Sequence, residues 1–331
     1  MEKFNIAVVG ATGMVGRTFL KVLEERNLPI ENFYVFASKR SAGNTLTFNN
    51  KEYTVLELNE ASFTDYKIDI ALFSAGGGTS LKFAPIAAKS GCIVIDNSSA
   101  WRMDPNVPLV VPEVNAPDIL KHNGIIANPN CSTIQAVVAL NPLHKAYDIN
   151  RIIYTTFQAV SGAGMGGYND LSEGLKGNPP TKFPHPIAGN CLPHIDVFLD
   201  NGYTKEEIKM VEETRKILHA PELKITATTV RVPVFDSHSE SINVEFNKSF
   251  ELTELVETLK NGEGIILEDD VQNNIYPLAL NAAGKDEVFV GRIRRDESVE
   301  SGVNLWVVAD NIRKGAATNA VQIAEWIIKN V

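Results

Sequence analysis

Along the first 130 residues, short apolar runs alternate with stretches of helical spacing. The runs are IAVVG (6–10), FYVFA (33–37), YTVLEL (53–58), IDIALFSA (68–75), CIVIDN (92–97), LVVPEV (109–114) and GIIANP (124–129). Several are apolar throughout instead of alternating, the mark of strands covered on both faces by helices. Between the first two, Val15, Phe19, Val22 and Leu23 recur along one helix face. Strand, helix, strand, repeated, predicts a doubly wound α/β domain.

From about Arg151 the pattern changes. RIIYTTF, ITATTVRVPV, SINVEF, EVFVGRI and NLWVVAD read as longer strands. Many are joined by turns, which predicts a mixed or antiparallel sheet. The Gly/Pro-rich tract 162–193 reads as loops around one short helix. TKEEIKMVEETRKILH (204–219) predicts a helix capped by Thr204. The tail 315–330 predicts another, with Ala317, Val321, Ala324 and Ile328 on one stripe that returns to the first domain.

The length of 331 residues fits two domains, and 44% hydrophobic composition makes a packed globular protein the expectation. A net charge of −9 argues against a nucleic-acid binder. Nothing in the chain reads as a signal peptide or a membrane span, so the protein is expected to be cytoplasmic. Cys92, Cys131 and Cys191 form no CxxC pair and no disulfide scaffold. No metal site is expected.

The turn GATGMVG places Gly10, Gly13 and Gly16 after the first strand and before a helix. Small residues there let the backbone approach a pyrophosphate, and the helix start supplies N–H groups to it. The alternative is a tight turn without a ligand. The second strand ends in ASKRSAG, with no carboxylate for a ribose 2′-hydroxyl. Lys39 and Arg40 suit a 2′-phosphate, which favours NADP over NAD; the alternative is a solvated basic loop.

NPNCSTIQAVVAL (128–140) puts Cys131 at a helix start, with Ile134, Val137 and Val138 on one side. The helix field there favours a thiolate, the form that attacks aldehydes and activated acyl groups. Cys92 lies in an apolar run and Cys191 in a loop, without such activation. A thiolate beside a nicotinamide points to acyl chemistry with a histidine as acid or base. His238 stands at a turn between two strands. Arg231 shares a strand face with Thr229 and Ala227, where a guanidinium seeks an anion such as a substrate carboxylate. The blander readings are a hydrogen-bonded turn histidine and an internal ion pair. His122, His144 and His219 read as surface residues, and His185 and His194 as Pro-flanked loop residues.

Taken in order, VVGATGMVG, SKRSAG, LFSAGG, IDNSSAWRMD, VPEVN, NPNCSTIQ, QAVSGAGM, VRVPV…HSES, FVGRIR and DNIRKGAA…NAVQIAE resemble the aspartate-semialdehyde dehydrogenase family, in the variant common in Gram-positive bacteria. The resemblance implies NADPH-dependent reductive dephosphorylation of L-4-aspartyl phosphate to L-aspartate 4-semialdehyde, in biosynthesis of lysine through diaminopimelate, threonine, methionine and isoleucine. It implies Cys131 as nucleophile, His238 as acid/base, and Gln158 as a positioning group. Arg231 would bind the substrate α-carboxylate and Glu206 its amino group. Arg102 and Lys209 resemble the phosphate-binding pair, and Asn130 falls in the substrate site. Gly10, Thr12, Gly13, Met14, Val15, Lys39, Arg40, Ser161, Gly162 and Asn311 match cofactor contacts. A homodimer is implied, with residues 1–130 and a C-terminal helix (311–331) binding NADP. Residues 131–310 would form an α+β catalytic and dimerisation domain with a mixed sheet.

Two features depart from the family pattern: Thr229 stands where a Cys is usual, and the segment from Met165 to Pro193 reads as shortened. The nearest rival is an N-acetylglutamyl-phosphate reductase, which would not need an acid at Glu206. A glyceraldehyde-phosphate dehydrogenase would have an acid after the second strand. A catalytically inactive NADP-binding sensor would have lost the Cys or the His.

Overall fold

The computed structural model describes residues 2–330. They form two compact units, one of residues up to Asn130 together with those from Ala316 on, the other Cys131–Gly315.

The first unit is built on a six-stranded parallel sheet. Its order is Leu56–Glu57, Ile30–Ala37, Phe4–Val9, Ile70–Phe73, Ile93–Asp96, Ile125–Ala127. The inner strands are buried at nearly every position, which is why their sequences are apolar without alternation. Helix Met14–Arg26 contributes Phe19, Leu20, Val22 and Leu23 to the core. The C-terminal helix Asn319–Asn330 contributes Val321, Ile323, Ala324 and Ile327, and Arg26 clamps it through a two-pronged pairing with Glu325 (2.8 and 2.7 Å). Ile328 of the expected stripe is only half-buried, and the helix is entered through a π-helical segment, Arg313–Thr318.

Two of the apolar runs behave differently from expectation. Residues 53–58 do not form one strand. Tyr53 and Thr54 close a hairpin of Thr45–Phe48 with Lys51–Thr54, and only Leu56–Glu57 join the sheet edge. Residues 109–114 are not a strand either. Leu109 makes a single parallel bridge to Ala127, and Pro112 then opens a short helix, Pro112–Asn115. Prolines at 108 and 112 lack the N–H a ladder needs, and proline suits the first position of a helix.

The second unit carries a mixed six-stranded sheet, ordered Lys224–Arg231, Ile149–Gln158, His238–Phe246, Gly302–Ala309, Val288–Arg295, Ile265–Leu267. The two outer pairings are parallel and the three inner ones antiparallel. Helix Cys131–Tyr147 packs across one face beside helix Lys205–Ile217. The glycine-rich tract holds one helix, Gly164–Gly174. The Asp170 carboxylate gathers the following loop, accepting from the backbone of Thr181, Lys182 and Phe183 at 2.8 Å each. No helix among the described residues is long and apolar enough to cross a membrane.

Helix Lys205–Ile217 starts as its sequence predicts: the Thr204 side chain accepts from Glu207 N–H, and the Glu207 carboxylate accepts from Thr204 N–H at 2.7 Å. This reciprocal cap satisfies two donors at once. Thr204→Ala is expected to lower unfolding free energy by about 1 kcal/mol in a urea titration, with Thr204→Ser recovering most of it.

Candidate active site

In the first unit the turn after the first strand closes tightly on itself. Gly10 has φ +84°, and a Cβ there would run into the Ser74 carbonyl. A Cβ at Gly16 would run into the Gly10 carbonyl. Helix Met14–Arg26 begins at Gly13 with no side-chain cap and no acidic residue in its first turn. Its leading N–H groups are therefore left to an anion. Thr12, Met14 and Val15 are half-buried around this turn, and Lys39 and Arg40 stand exposed after the second strand. These residues fit a dinucleotide. Arg102, also in this unit, is buried and donates to the carbonyls of Asn128 and Asn97 at 3.0 Å each. Asn128 is itself held by Asn319 (2.7 Å).

The second unit brings the other candidates together. Cys131 is the first residue of its helix. Gly315 passes so close that a Cβ there would lie 2.8 Å from the Cys131 Cβ, so the thiol-bearing backbone is wedged in place. Asn130, just before it, is buried. Cys131 Sγ lies 3.3 Å from His238 Nε2.

His238 begins its strand and is fully buried. Its Nδ1 accepts the main-chain N–H of Ala159 at 3.0 Å. An amide N–H only donates, so the Nδ1 lone pair must face it, and the neutral ring carries its proton on Nε2. That proton points at sulfur. Burial, followed by the charge of Arg231, pushes the imidazole pKa well below its ordinary value, so the ring stays neutral.

Arg231 closes the edge strand, buried, on the face with Thr229 and Ala227. Its Nη1 donates to the Ala159 carbonyl at 2.5 Å. Its Nε is buried without a partner. Burial lowers the guanidinium pKa, opposed by Glu206 and Cys131. A buried N–H without an acceptor costs about 1–3 kcal/mol, so this site is built to receive one. Gln158 donates Nε2–H to Glu206 Oε1 at 3.1 Å and accepts from Thr156 Oγ1 at 3.0 Å. Its Nε2 approaches His238 Nε2 at 3.5 Å, a meeting of two donors rather than a bond. Glu206 and Lys209, three residues apart on one helix, form an ion pair that is largely shielded from solvent. Lys209 Nζ lies 3.0 Å from Glu206 and 2.7 Å from Asp196, with its side chain only 18% exposed. Burial works against the charge on Lys209, but the two carboxylates outweigh it and raise its pKa.

Ser161 and Asn311 hydrogen-bond each other, and Asn311 Oδ1 also takes the Ser237 N–H (3.0 Å). Gly162 faces two of these side chains directly: a Cβ there would lie 3.0 Å from Arg231 Nη1 and 3.3 Å from His238 Cε1. Sequence reasoning missed Ala159, Gly315, Thr156 and Asp196. The first two act through backbone, and Asp196 sits in an ordinary loop thirteen residues from Lys209, so no local pattern marks them. Cys92 is buried and its thiol pKa is pushed far up by burial and by Asp69. No cluster able to hold a metal occurs among the described residues.

A parallel-sheet unit with a glycine turn, joined to a mixed-sheet unit bearing a Cys–His pair, is the build of a semialdehyde dehydrogenase. Family models agree: the semialdehyde dehydrogenase NAD-binding domain matches residues 5–122, and the semialdehyde dehydrogenase dimerisation domain matches 140–314. The chain is 60% identical to the aspartate-semialdehyde dehydrogenase of Aquifex aeolicus, over 98% of each protein, and 49% identical to that of Bacillus subtilis, over 98% and 97%. It superposes on aspartate semialdehyde dehydrogenase II of Vibrio cholerae, solved as a complex with ASA, with a TM-score of 0.95 at 48% identity, over 100% and 99% of the chains. The chain belongs to the aspartate-semialdehyde dehydrogenase family and is an oxidoreductase of that activity. These relatives set aside the reductase, glyceraldehyde-phosphate and inactive-sensor alternatives.

Two outcomes follow from the geometry. Gly162→Ala is expected to cost about 10- to 100-fold in kcat/KM by displacing Arg231 and His238, with little change in Tm. Ring 15N NMR is expected to find His238 protonated at Nε2 alone and still neutral at pH 6. Because its pKa is lowered in the folded chain, only the unfolded chain gains this proton as pH falls below about 6.5. His238 therefore subtracts stability at acid pH, and His238→Asn should flatten that loss in urea titrations.

Proposed function

We propose that the chain carries out NADPH-dependent reductive dephosphorylation of 4-aspartyl phosphate through a thioester on Cys131. The carrying observation is the 3.3 Å approach of Cys131 Sγ to a His238 Nε2 that bears the ring proton. The thiolate, hydrogen-bonded by Nε2–H, attacks the acyl-phosphate carbonyl, and the C–O bond to phosphate breaks as the C–S bond forms. His238 stabilises the sulfur again when the C–S bond breaks and the semialdehyde leaves. NADPH held at Gly10, Thr12, Gly13, Met14, Val15, Lys39 and Arg40, with Ser161, Gly162 and Asn311, would supply the hydride.

The other residues divide the substrate's charges. Arg231, with its unpartnered Nε, takes the α-carboxylate in a charge-assisted fork. Glu206 takes the ammonium, while Gln158 and Asn130 hold the acyl end. Arg102 and Lys209 receive the phosphate, Lys209 exchanging Asp196 for it. The relative solved with ASA and the Candida albicans aspartate semialdehyde dehydrogenase solved with NADP (25% identity, TM-score 0.78, 99% of each chain) support this assignment of ligands.

The second unit is proposed to pair with a second copy through its open sheet face. There Phe157, Trp306, Tyr276 and Leu278 line a cleft, and Leu280 is 86% exposed. Sedimentation is expected to give a dimer, and a monomer at micromolar concentration would overturn this.

With semialdehyde, phosphate and NADP, reduced nicotinamide should accumulate, and much more slowly with NAD. Equal rates would reject the cofactor assignment. Cys131→Ser should abolish turnover. Arg231→Leu should raise KM about 10- to 100-fold, the loss of a charge-assisted pair worth about 1.5–3 kcal/mol. An unchanged KM would remove Arg231 from the carboxylate site.

A further inference from the structure

The strand that opens with His238 carries a second titratable group on the same face, two residues on. Glu240 is fully buried, and neither carboxylate oxygen has a hydrogen-bond partner. Its cross-strand neighbours are Thr156 and Val307. Burial alone raises its pKa well above the ordinary carboxylate range. A bare carboxylate in such a place is prohibitively costly, so the group is an undissociated acid, and an acid has a proton to donate.

Helix Cys131–Tyr147 packs on the strand that carries Glu240. Gln135, one helical turn after Cys131, donates Nε2–H to the main-chain carbonyl of His238 at 3.3 Å. A carbonyl only accepts, so this bond fixes the orientation of the amide and sends Oε1 the other way. That oxygen is buried and has no donor. One helix–strand interface therefore holds an acceptor lacking a donor and an acid lacking an acceptor. Each orphan alone carries an unrelieved desolvation cost, and one bond between them removes both penalties.

We propose that Glu240 is a positioning residue for the reaction: its carboxyl proton is donated to Gln135 Oε1, and the Gln135 amide holds the main chain at His238, keeping the imidazole beside Cys131. Glu240 touches neither substrate nor cofactor. It acts only through Gln135 and the backbone. The inference rests on the role assigned to His238 above.

The test compares Glu240→Gln with Glu240→Leu in the full chain. The glutamine retains an N–H donor and is expected to keep most of kcat. The leucine is expected to lower kcat about 10- to 100-fold with KM little changed, the signature of a misplaced catalytic group. Its Tm is expected to fall, because Gln135 Oε1 loses its donor, and adding Gln135→Leu is expected to recover part of that fall. Glu240→Met serves in its place should the leucine variant not fold. Gln135→Leu should add nothing to the kcat loss of Glu240→Leu, since both break the same link. Infrared difference spectra of wild type against Glu240→Gln should show loss of a neutral-acid carbonyl band. Wild-type kcat in the leucine variant, equal impairment in both variants, or carboxylate bands in place of the acid band would each overturn the proposal. His238→Asn separates the two readings: full activity there would remove the role of His238 while leaving the infrared signature of Glu240 in place.

Discussion

The site depends on the main chain of one residue. The N–H of Ala159 is donated to His238 Nδ1, and the carbonyl of the same residue is gripped by Arg231. Ala159 lies just past the end of the strand Ile149–Gln158, and the planar peptides on either side of it hold these two groups in their directions. One group sets the tautomer of the imidazole and the other sets the tilt of the guanidinium. The proton and the cation proposed above for catalysis and substrate binding are thus placed by a feature that has no side-chain identity at all.

The surrounding charges are not all satisfied by internal partners. Lys209 is held between two carboxylates, while Arg231 keeps an unpaired buried N–H and a single strong bond to a carbonyl. A guanidinium tied to a neutral oxygen keeps its charge for an incoming anion. Glu206 is shared by Gln158 and Lys209, which fixes both carboxylate oxygens and orients the Gln158 amide. Burial raises the strength of every such contact and also the cost of leaving one unmade. That is the physical reason for reading the orphaned groups as places for ligands or for protons.

The two units divide the chemistry. The parallel sheet supplies a glycine turn and an uncapped helix start, features that recognise phosphate through backbone. The mixed sheet supplies rigid strand ends, with Arg231, Gln158 and His238 at or next to the ends of three adjacent strands. Side chains projecting from paired strands are held more firmly than those on loops, which suits attack by sulfur on a carbonyl.

Local pattern alone determined a great deal. Unbroken apolar runs announce strands buried on both faces, because period and burial are properties of single segments. The glycine turn, the Thr204 cap and the helix start at Cys131 are legible for the same reason: each needs only a few consecutive residues. Alternation around Arg231 also put its guanidinium on the right face. Tertiary structure decided what depends on groups distant in the chain. It broke the runs at 53–58 and 109–114, where a hairpin and two prolines overrule apolar character. It joined Glu206 and Lys209, one turn apart on their helix, to the exposed Asp196 thirteen residues away. It also decided the protonation of His238 and Glu240, because a pKa follows from burial and from neighbours that only folding assembles. Sequence can nominate a sulfur and an imidazole, but the partner of the second ring nitrogen is a backbone amide seventy-nine residues away, and only the fold brings it there.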